Sequence, residues 1–237
     1  MQISFITSIL TAHLFRFLKR VFPILPIVSR TELGFVQGQD DPDARVLDRI
    51  PTHLLAAIYG TVLPFALEDD HLSLLAVFEK PPIPRIWRMV YESILEEVHK
   101  PRLSVVQAAL LYIHRQLGDR QAYAVADTPF VWSFTGMVVG LAHSLGLHLE
   151  CGMFGLPARE KRLRRRLWWA VYIEDKWQSL LLGRPPYIRS SEWDVVELVD
   201  MDFVTGFHLQ AVPADTKIPF RDMAQLALIA EAVQDNL

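Results

Sequence analysis

The apolar positions of this chain repeat at helical spacing along most of its length, and they do so most densely over residues 163–182. That stretch contains no Gly or Pro. Leu163, Leu167, Val171, Glu174, Gln178 and Leu181 recur at steps of three and four, the interval of a single helical stripe. Trp168, Trp169, Tyr172, Lys176 and Ser179 fall on a second, broader face. Bulky groups on so much of the circumference predict a helix packed on more than one side. Gly183 can take the left-handed conformation that closes a helix, and Pro185 and Pro186 prevent its resumption.

The same periodicity predicts further helices on either side. Ile6, Ile9, Leu10, Leu14, Phe17 and Leu18 define one over residues 4–21, ended by Pro23 and Pro26. Pro51 suits a first turn, and Leu54, Leu55, Ile58, Tyr59 and Val62 carry a helix to Pro64. Leu67 to Glu79 is short and apolar; past the break at 80–84, Ile86, Trp87, Val90, Ile94 and Val98 mark another helix. From Leu103 to Gly118, Ser104 is the expected cap, and Val105, Ala108, Ala109, Tyr112 and Ile113 point inward. Phe130–Leu149 and Phe220–Val233 complete the series, with polar connections at 37–48, 119–127 and 199–219. Gly136 and Gly140 lie inside one of these helices, where each costs roughly 1 kcal/mol relative to alanine. A close approach by Trp168 or Trp169 would account for them. No run alternates as a strand would. The expected fold is all-α, a single domain of stacked antiparallel helix pairs built around the helices at 161–183 and 130–149.

Composition narrows the function classes. With 237 residues and 51% hydrophobic content, the chain can bury a sizeable core. A mean hydropathy of +0.20 raises the question of a membrane span at the N-terminus. His13, Arg16, Lys19 and Arg20 interrupt that stretch, which favours a core helix over a signal anchor. The net charge of -3 does not predict a polyanion partner for the domain as a whole. Cys151 is the one cysteine present, so there is no intramolecular disulfide framework.

Several constellations invite a chemical reading. Arg159, Lys161, Arg162, Arg164, Arg165 and Arg166 form a basic run that suits nuclear import or nucleic-acid contact. Its plainer reading is a solvated helix face pairing with Glu160, Glu174 or Asp175. Glu68, Asp69 and Asp70 could begin an acidic metal motif of the kind used by class I terpene synthases, but Leu72, Ser73 and Leu74 supply no further carboxylate. His143, His148, Glu150 and Cys151 lack the spacing of ligands on one helix face and read as structural. Arg184 or Arg166 is expected to pair with Asp175 and lock the loop after Gly183 onto the helix. No nucleophile elbow or phosphate-binding glycine loop is present, so the chain reads as a non-enzyme.

Four regions, the first of them in three pieces, resemble a known family. RRRLWW (Arg164–Trp169), Asp175, then GRPPYI (Gly183–Ile188) and SEWDVVEL (Ser191–Leu198) look like the middle homology region of fungal zinc-cluster transcription factors. GMVVGLAHSLGLH (Gly136–His148), SVVQAALLYI (Ser104–Ile113) and FPILPIVSR (Phe22–Arg30) resemble that family's upstream segments, in the same order. The resemblance marks Gln107, Gly136, Gly146, His148, Arg165, Arg166, Trp168, Trp169, Asp175, Gly183, Arg184 and Pro185 as family positions with structural or regulatory roles. Gln107 would bond exposed backbone groups at a neighbouring helix end; periodicity alone would turn it to solvent.

The resemblance implies a nuclear regulatory domain spanning residues 1–237, controlling RNA polymerase II transcription. The pattern is closest to regulators of nitrogen or amino-compound utilisation. The family implies DNA binding and zinc binding through an N-terminal two-zinc cluster held by six cysteines, for which this chain lacks the thiolates; it has no cofactor of its own. It is expected to reach DNA through a further segment or a partner, and the family's helical region continues beyond a point such as residue 237. Expected partners are other transcription factors or coregulators and a small-molecule effector, with no membrane. A ligand pocket is expected near Trp168, Trp169, Tyr172 and Trp193. The competing readings are an all-α enzyme with an apolar, terpenoid-cyclase-like pocket, and a gene product with no independent role.

Overall fold

The computed structural model describes residues 2–35, 42–68, 82–115, 128–204 and 219–236. Within them the chain is all-α, with no strand among the described residues. The helices are α1 (Gln2–Arg20), α2 (Ala44–Leu47), α3 (Thr52–Val62), α4 (Ile83–Glu97), α5 (Leu103–Ile113), α6 (Thr128–Ser144), α7 (Ala158–Leu182) and α8 (Pro219–Gln234). Short 3-10 turns follow α3 at Leu63–Glu68 and α7 at Ser190–Glu192 and Asp200–Phe203. The predicted stretch at 67–79 falls mostly outside the described residues. No described helix is long and apolar enough to cross a membrane.

From α3 to α7, consecutive helices stack as antiparallel pairs. Trp87, early in α4, meets Tyr112, late in α5, with ring centroids 5.9 Å apart. Arg164, early in α7, donates to the carbonyl of Leu145, just past the end of α6, at 3.0 Å. One group of helices gathers on α3, which packs against α1, α4 and α5; a second gathers on α7, which packs against α6 and α8. The α5 helix touches both α6 and α7 and joins the two groups into one continuous core. The α8 helix meets α7 with C-terminal ends together, where Ser179 and Gln234 share hydrogen bonds at 3.1 Å.

Two glycines close their helices in the left-handed conformation. Gly183 has φ 61° and ψ 37°. Its N–H donates to Leu180 and that of Arg184 to Ser179, the paired bonds of a Schellman motif. Gly146, with φ 66°, closes α6 in the same way: its N–H donates to His143 and that of Leu147 to Ala142.

The mid-helix glycines have a different origin from the one expected. A Cβ on Gly136 would lie 2.6 Å from Cζ of Tyr187. The close approach thus comes from the loop after α7 rather than from Trp168 or Trp169. The Tyr187 ring is also held by Trp132, stacked at 4.3 Å. Gly140 is exposed, and a Cβ there would meet nothing within 4 Å. Ser104, expected as the cap of α5, instead places its hydroxyl 3.2 Å from Nε2 of His53; the capping position is held by Arg102, without a side-chain bond.

Alanine substitution separates the two glycines. Gly140→Ala should raise stability by about 0.5 to 1 kcal/mol through helix propensity alone. Gly136→Ala should lose that gain and displace Tyr187 from Trp132. Urea denaturation measured side by side checks the difference.

Candidate functional site

The residues singled out by sequence converge on α7, and the reason is electrostatic. This helix buries Arg166, Glu174, Asp175 and Lys176 together with Trp168, Trp169 and Tyr172. A charged group taken out of water must be answered by a partner and by hydrogen bonds. Each of these charges is answered mainly from segments outside α7.

Arg166, only 2% exposed, donates Nε to the Pro26 carbonyl at 2.6 Å and Nη1 to the carbonyl of Asp202. It thereby ties the segment after α1 to the turn at Asp200–Phe203. Burial lowers its pKa to about 10, which leaves it cationic near neutral pH. Arg165 forms a forked contact with Glu150, at 2.7 Å from Nη2, and reaches Asp202 at 3.3 Å. Asp202 accepts at its other oxygen from the Val199 N–H at 3.0 Å.

Lower on the helix, Asp175 receives the backbone N–H groups of Tyr187 and Ile188 at 2.8 and 3.0 Å. Burial pushes its carboxyl up, against the pull of those two bonds and of Lys176. Lys176 is fully buried; its ammonium sits 2.8 Å from Glu231 on α8, 3.7 Å from Asp175, and bonds the Ile188 carbonyl. The Tyr172 hydroxyl donates to the other oxygen of Glu231 at 2.7 Å, and burial drives that phenol's pKa up.

The expected pairing of Asp175 with Arg184 or Arg166 is therefore corrected. Asp175 does lock the GRPPYI loop onto the helix, but through backbone N–H groups. Arg184 lies over the Trp132 ring at 5.5 Å, and Pro185 stands exposed in the same loop. The expectation that the basic run is a solvated face also needs revision. Arg164 pairs with Glu160 at 3.1 Å as foreseen, yet Lys161 caps the Gly152 carbonyl at 2.7 Å and Arg166 is interior. Much of the run holds the protein's own loops, leaving Arg159 outermost.

Gln107 is buried, not solvent-facing. Its Nε2 donates to the Ile27 carbonyl at 2.7 Å and to Glu32 at 3.0 Å. Glu32 also accepts from the N–H and hydroxyl of Ser29 at 2.7 and 2.8 Å. The segment after α1 is thus held by α5 through Gln107 and by α7 through Arg166.

Trp168, Trp169, Tyr172 and Trp193 do come together, with ring centroids 5.1 to 5.9 Å apart. The four rings touch one another and form one aromatic cluster on this face of α7. Trp169 also donates to the Val196 carbonyl at 3.0 Å. His148 packs near His143 at 4.7 Å and Trp168 at 6.2 Å; burial lowers its pKa. Its carbonyl accepts from the Asp194 N–H at 3.1 Å, and the Asp194 carboxylate accepts from the Glu150 N–H at 2.6 Å. These bonds stitch the segment after α6 to the one after α7.

A cavity of about 190 Å³ lies on the opposite face of α7, beside Ala170, Ile173 and Glu174. Glu174 Oε1 lies 2.6 Å from His114 Nε2. The Glu174 charge raises the His114 pKa. Burial alone would raise the Glu174 carboxyl; His114 and Gln178 hold it below its usual range.

The described residues do not fit a zinc centre. Cys151 is buried, with its thiol donating to the Lys161 carbonyl at 3.5 Å, and burial raises the thiol's pKa. Among the described residues no group of three or more His, Cys, Asp or Glu could hold a metal ion. Asp69 and Asp70 lie outside them.

Removing one member of the buried network should be costly. Lys176→Met leaves Glu231 and Asp175 without their cation and is expected to destabilise by about 3 to 5 kcal/mol, measured by urea unfolding. The His114–Glu174 pair predicts a pH signature. Raising the His pKa contributes stability that is present below its unfolded value and lost as pH rises through the folded value. Lowering the Glu pKa contributes stability present above its unfolded value and lost as pH falls through the folded one. The pair should help most between about pH 4.5 and 6.5. The His114 side chain is 43% exposed, so the effect is modest. His114→Gln should bring stability closest to the native chain's above that window and furthest from it within.

Against this geometry the chain can be placed among known proteins. The model of the fungal specific transcription factor domain matches residues 16–203. The chain is 32% identical over 187 residues to the transcriptional activator protein DAL81 of Saccharomyces cerevisiae, covering 78% of this chain and 17% of that protein. It is 30% identical over 190 residues to an uncharacterized transcriptional regulatory protein of Schizosaccharomyces pombe, covering 78% and 27%. A shorter match, 34% over 101 residues, covers 42% of this chain and 8% of the nitrogen assimilation transcription factor nit-4 of Neurospora crassa. The chain thus spans under a third of the length of these relatives. No solved structure matches. With the match covering every clamp from Gln107 to Asp202, this chain belongs to the fungal specific transcription factor domain family.

Proposed function

We propose that the chain is a regulatory domain that controls RNA polymerase II transcription in the nucleus, with residues 1–237 acting as one unit. The observation that carries this reading is the family match over residues 16–203. The structure supports it through the character of α7: Lys161, Arg164, Arg165 and Arg166 of its basic run bond the chain's own loops, which takes most of that run away from a nucleic-acid surface. DNA would be reached through a partner transcription factor or coregulator, or through a further segment carrying the family's zinc cluster. The name of nit-4, a nitrogen assimilation factor, favours genes of nitrogen use as targets.

The physical device is a population shift between two packings of the helices, biased by whatever binds among them. The segments most exposed to such a shift are those held by polar clamps rather than by a continuous apolar face: Pro26–Glu32, Pro185–Ile188 and Asp194–Phe203.

Tethering the full chain to a heterologous DNA-binding domain in a fungal reporter strain tests the reading. Reporter output should change several-fold in either direction, and Asp175→Asn should alter that change while circular dichroism stays helical. Unchanged output from a chain shown to be folded and nuclear would remove the basis for it.

A further inference from the structure

The cavity on the far side of α7 lies where several elements of the fold converge. The segment after α1 contributes Val21, Ile24 and Leu25, the turn after α3 contributes Phe65, α5 contributes Leu111, and α8 contributes Phe220. At about 190 Å³ it exceeds the roughly 150 Å³ of an engineered apolar cavity that admits benzene. Its walls are mostly aliphatic and aromatic, with Arg20, Thr61, His114 and Glu174 as the polar lining residues. The carboxylate of Glu174, buried and paired with His114 at 2.6 Å, supplies a polar spot.

That spot constrains the chemistry of an occupant. A carboxylate offers about four acceptor positions, of which His114 and the Gln178 side chain take up part. Capacity for a further donor remains. Where His114 is protonated it answers the Glu174 charge, and an ammonium group entering the cavity would then lose its hydration without gaining a net counter-charge. A second anion would face Glu174 directly, and Arg20, the other charged wall residue, already has a partner within the fold. A neutral hydroxyl satisfies the carboxylate at little desolvation cost, and the apolar remainder of the molecule suits the walls.

We propose that this cavity is a binding site for a small neutral alcohol or phenol, a single ring or branched chain, whose hydroxyl donates to Glu174. Filling it would tie α1, α5, α7 and α8 together at one point. It would thus favour the helix packing in which those elements meet. The binding itself is independent of the regulatory reading; only its consequence for transcription rests on that reading.

Ligand-observed NMR titrations of the full chain with phenol, toluene and benzylamine test the site. Phenol and toluene share a shape and differ in the donor. For molecules this small, dissociation constants on the order of 0.1 to 1 mM are expected for phenol. Toluene should bind about tenfold more weakly, the worth of one hydrogen bond to a charged group, and benzylamine should not compete with phenol. Glu174→Met should abolish the preference for phenol while retaining toluene. Ala170→Leu, placed on the cavity wall, should remove both; if it fails to fold, Met223→Trp at the same cavity serves instead. Equal affinity for phenol and toluene overturns the hydroxyl assignment. No saturable binding, or undiminished binding to the filled variant, overturns the site. Either result leaves the reporter assay of the tethered chain free to succeed or fail on its own.

Discussion

The structure depends on the burial of both charge signs on a single helix. Arg166, Glu174, Asp175 and Lys176 all lie within α7 and are almost wholly removed from solvent. Such groups are costly unless every charge and most hydrogen-bonding positions are answered. The answers come from outside the helix: backbone carbonyls at Pro26, Ile188 and Asp202, backbone N–H groups at Tyr187 and Ile188, and Glu231 on α8. The fold therefore does more than bury apolar surface around α7. It uses the polar side chains of α7 to fix non-helical segments that have little periodic apolar face to hold them.

This division of labour explains the shape of the core. The helices on α3 join one another largely through apolar and aromatic contacts such as Trp87, Tyr91 and Tyr112. The helices on α7 combine an aromatic cluster on one face with ion pairs and backbone clamps on the others. Gln107 and Arg166 hold the same short stretch, Pro26–Ile27, from the two helix groups. That stretch runs along the seam between them. The cavity beside Glu174 lies at the same seam, which makes it a point where a small occupant could influence both groups.

Helix periodicity makes the elements legible, because apolar side chains at steps of three and four have little choice but to face a core. The end of α7 at Gly183 is readable for an equally local reason, a left-handed cap followed by two prolines. The partners of the polar residues are not. Asp175 is rightly tied to the loop that follows α7, but sequence pattern offers a carboxylate only charged side chains as partners, and backbone N–H groups brought in by a loop carry no signature. Lys176 and Arg166 sit on faces that read as mixed, and only tertiary packing shows them to be interior. The aromatic residues at 168, 169, 172 and 193 do gather, because three of them share one helix face and Trp193 returns to it from the segment after α7. Gly136 gives a true sign of close approach, but the approaching residue, Tyr187, lies across the fold and beyond the reach of spacing arguments.

Hydrogen exchange at the amides of Tyr187 and Ile188 measures the central claim directly. They lie in a proline-rich loop, one of them on an exposed residue, and bond to the carboxylate of Asp175. If buried charge on α7 fixes the flanking segments, these amides should exchange nearly as slowly as those in the middle of α7 itself, opening only with global unfolding. Exchange at the rate of an unrestrained loop would contradict that account and leave α7 as an ordinary core helix with incidental polar neighbours.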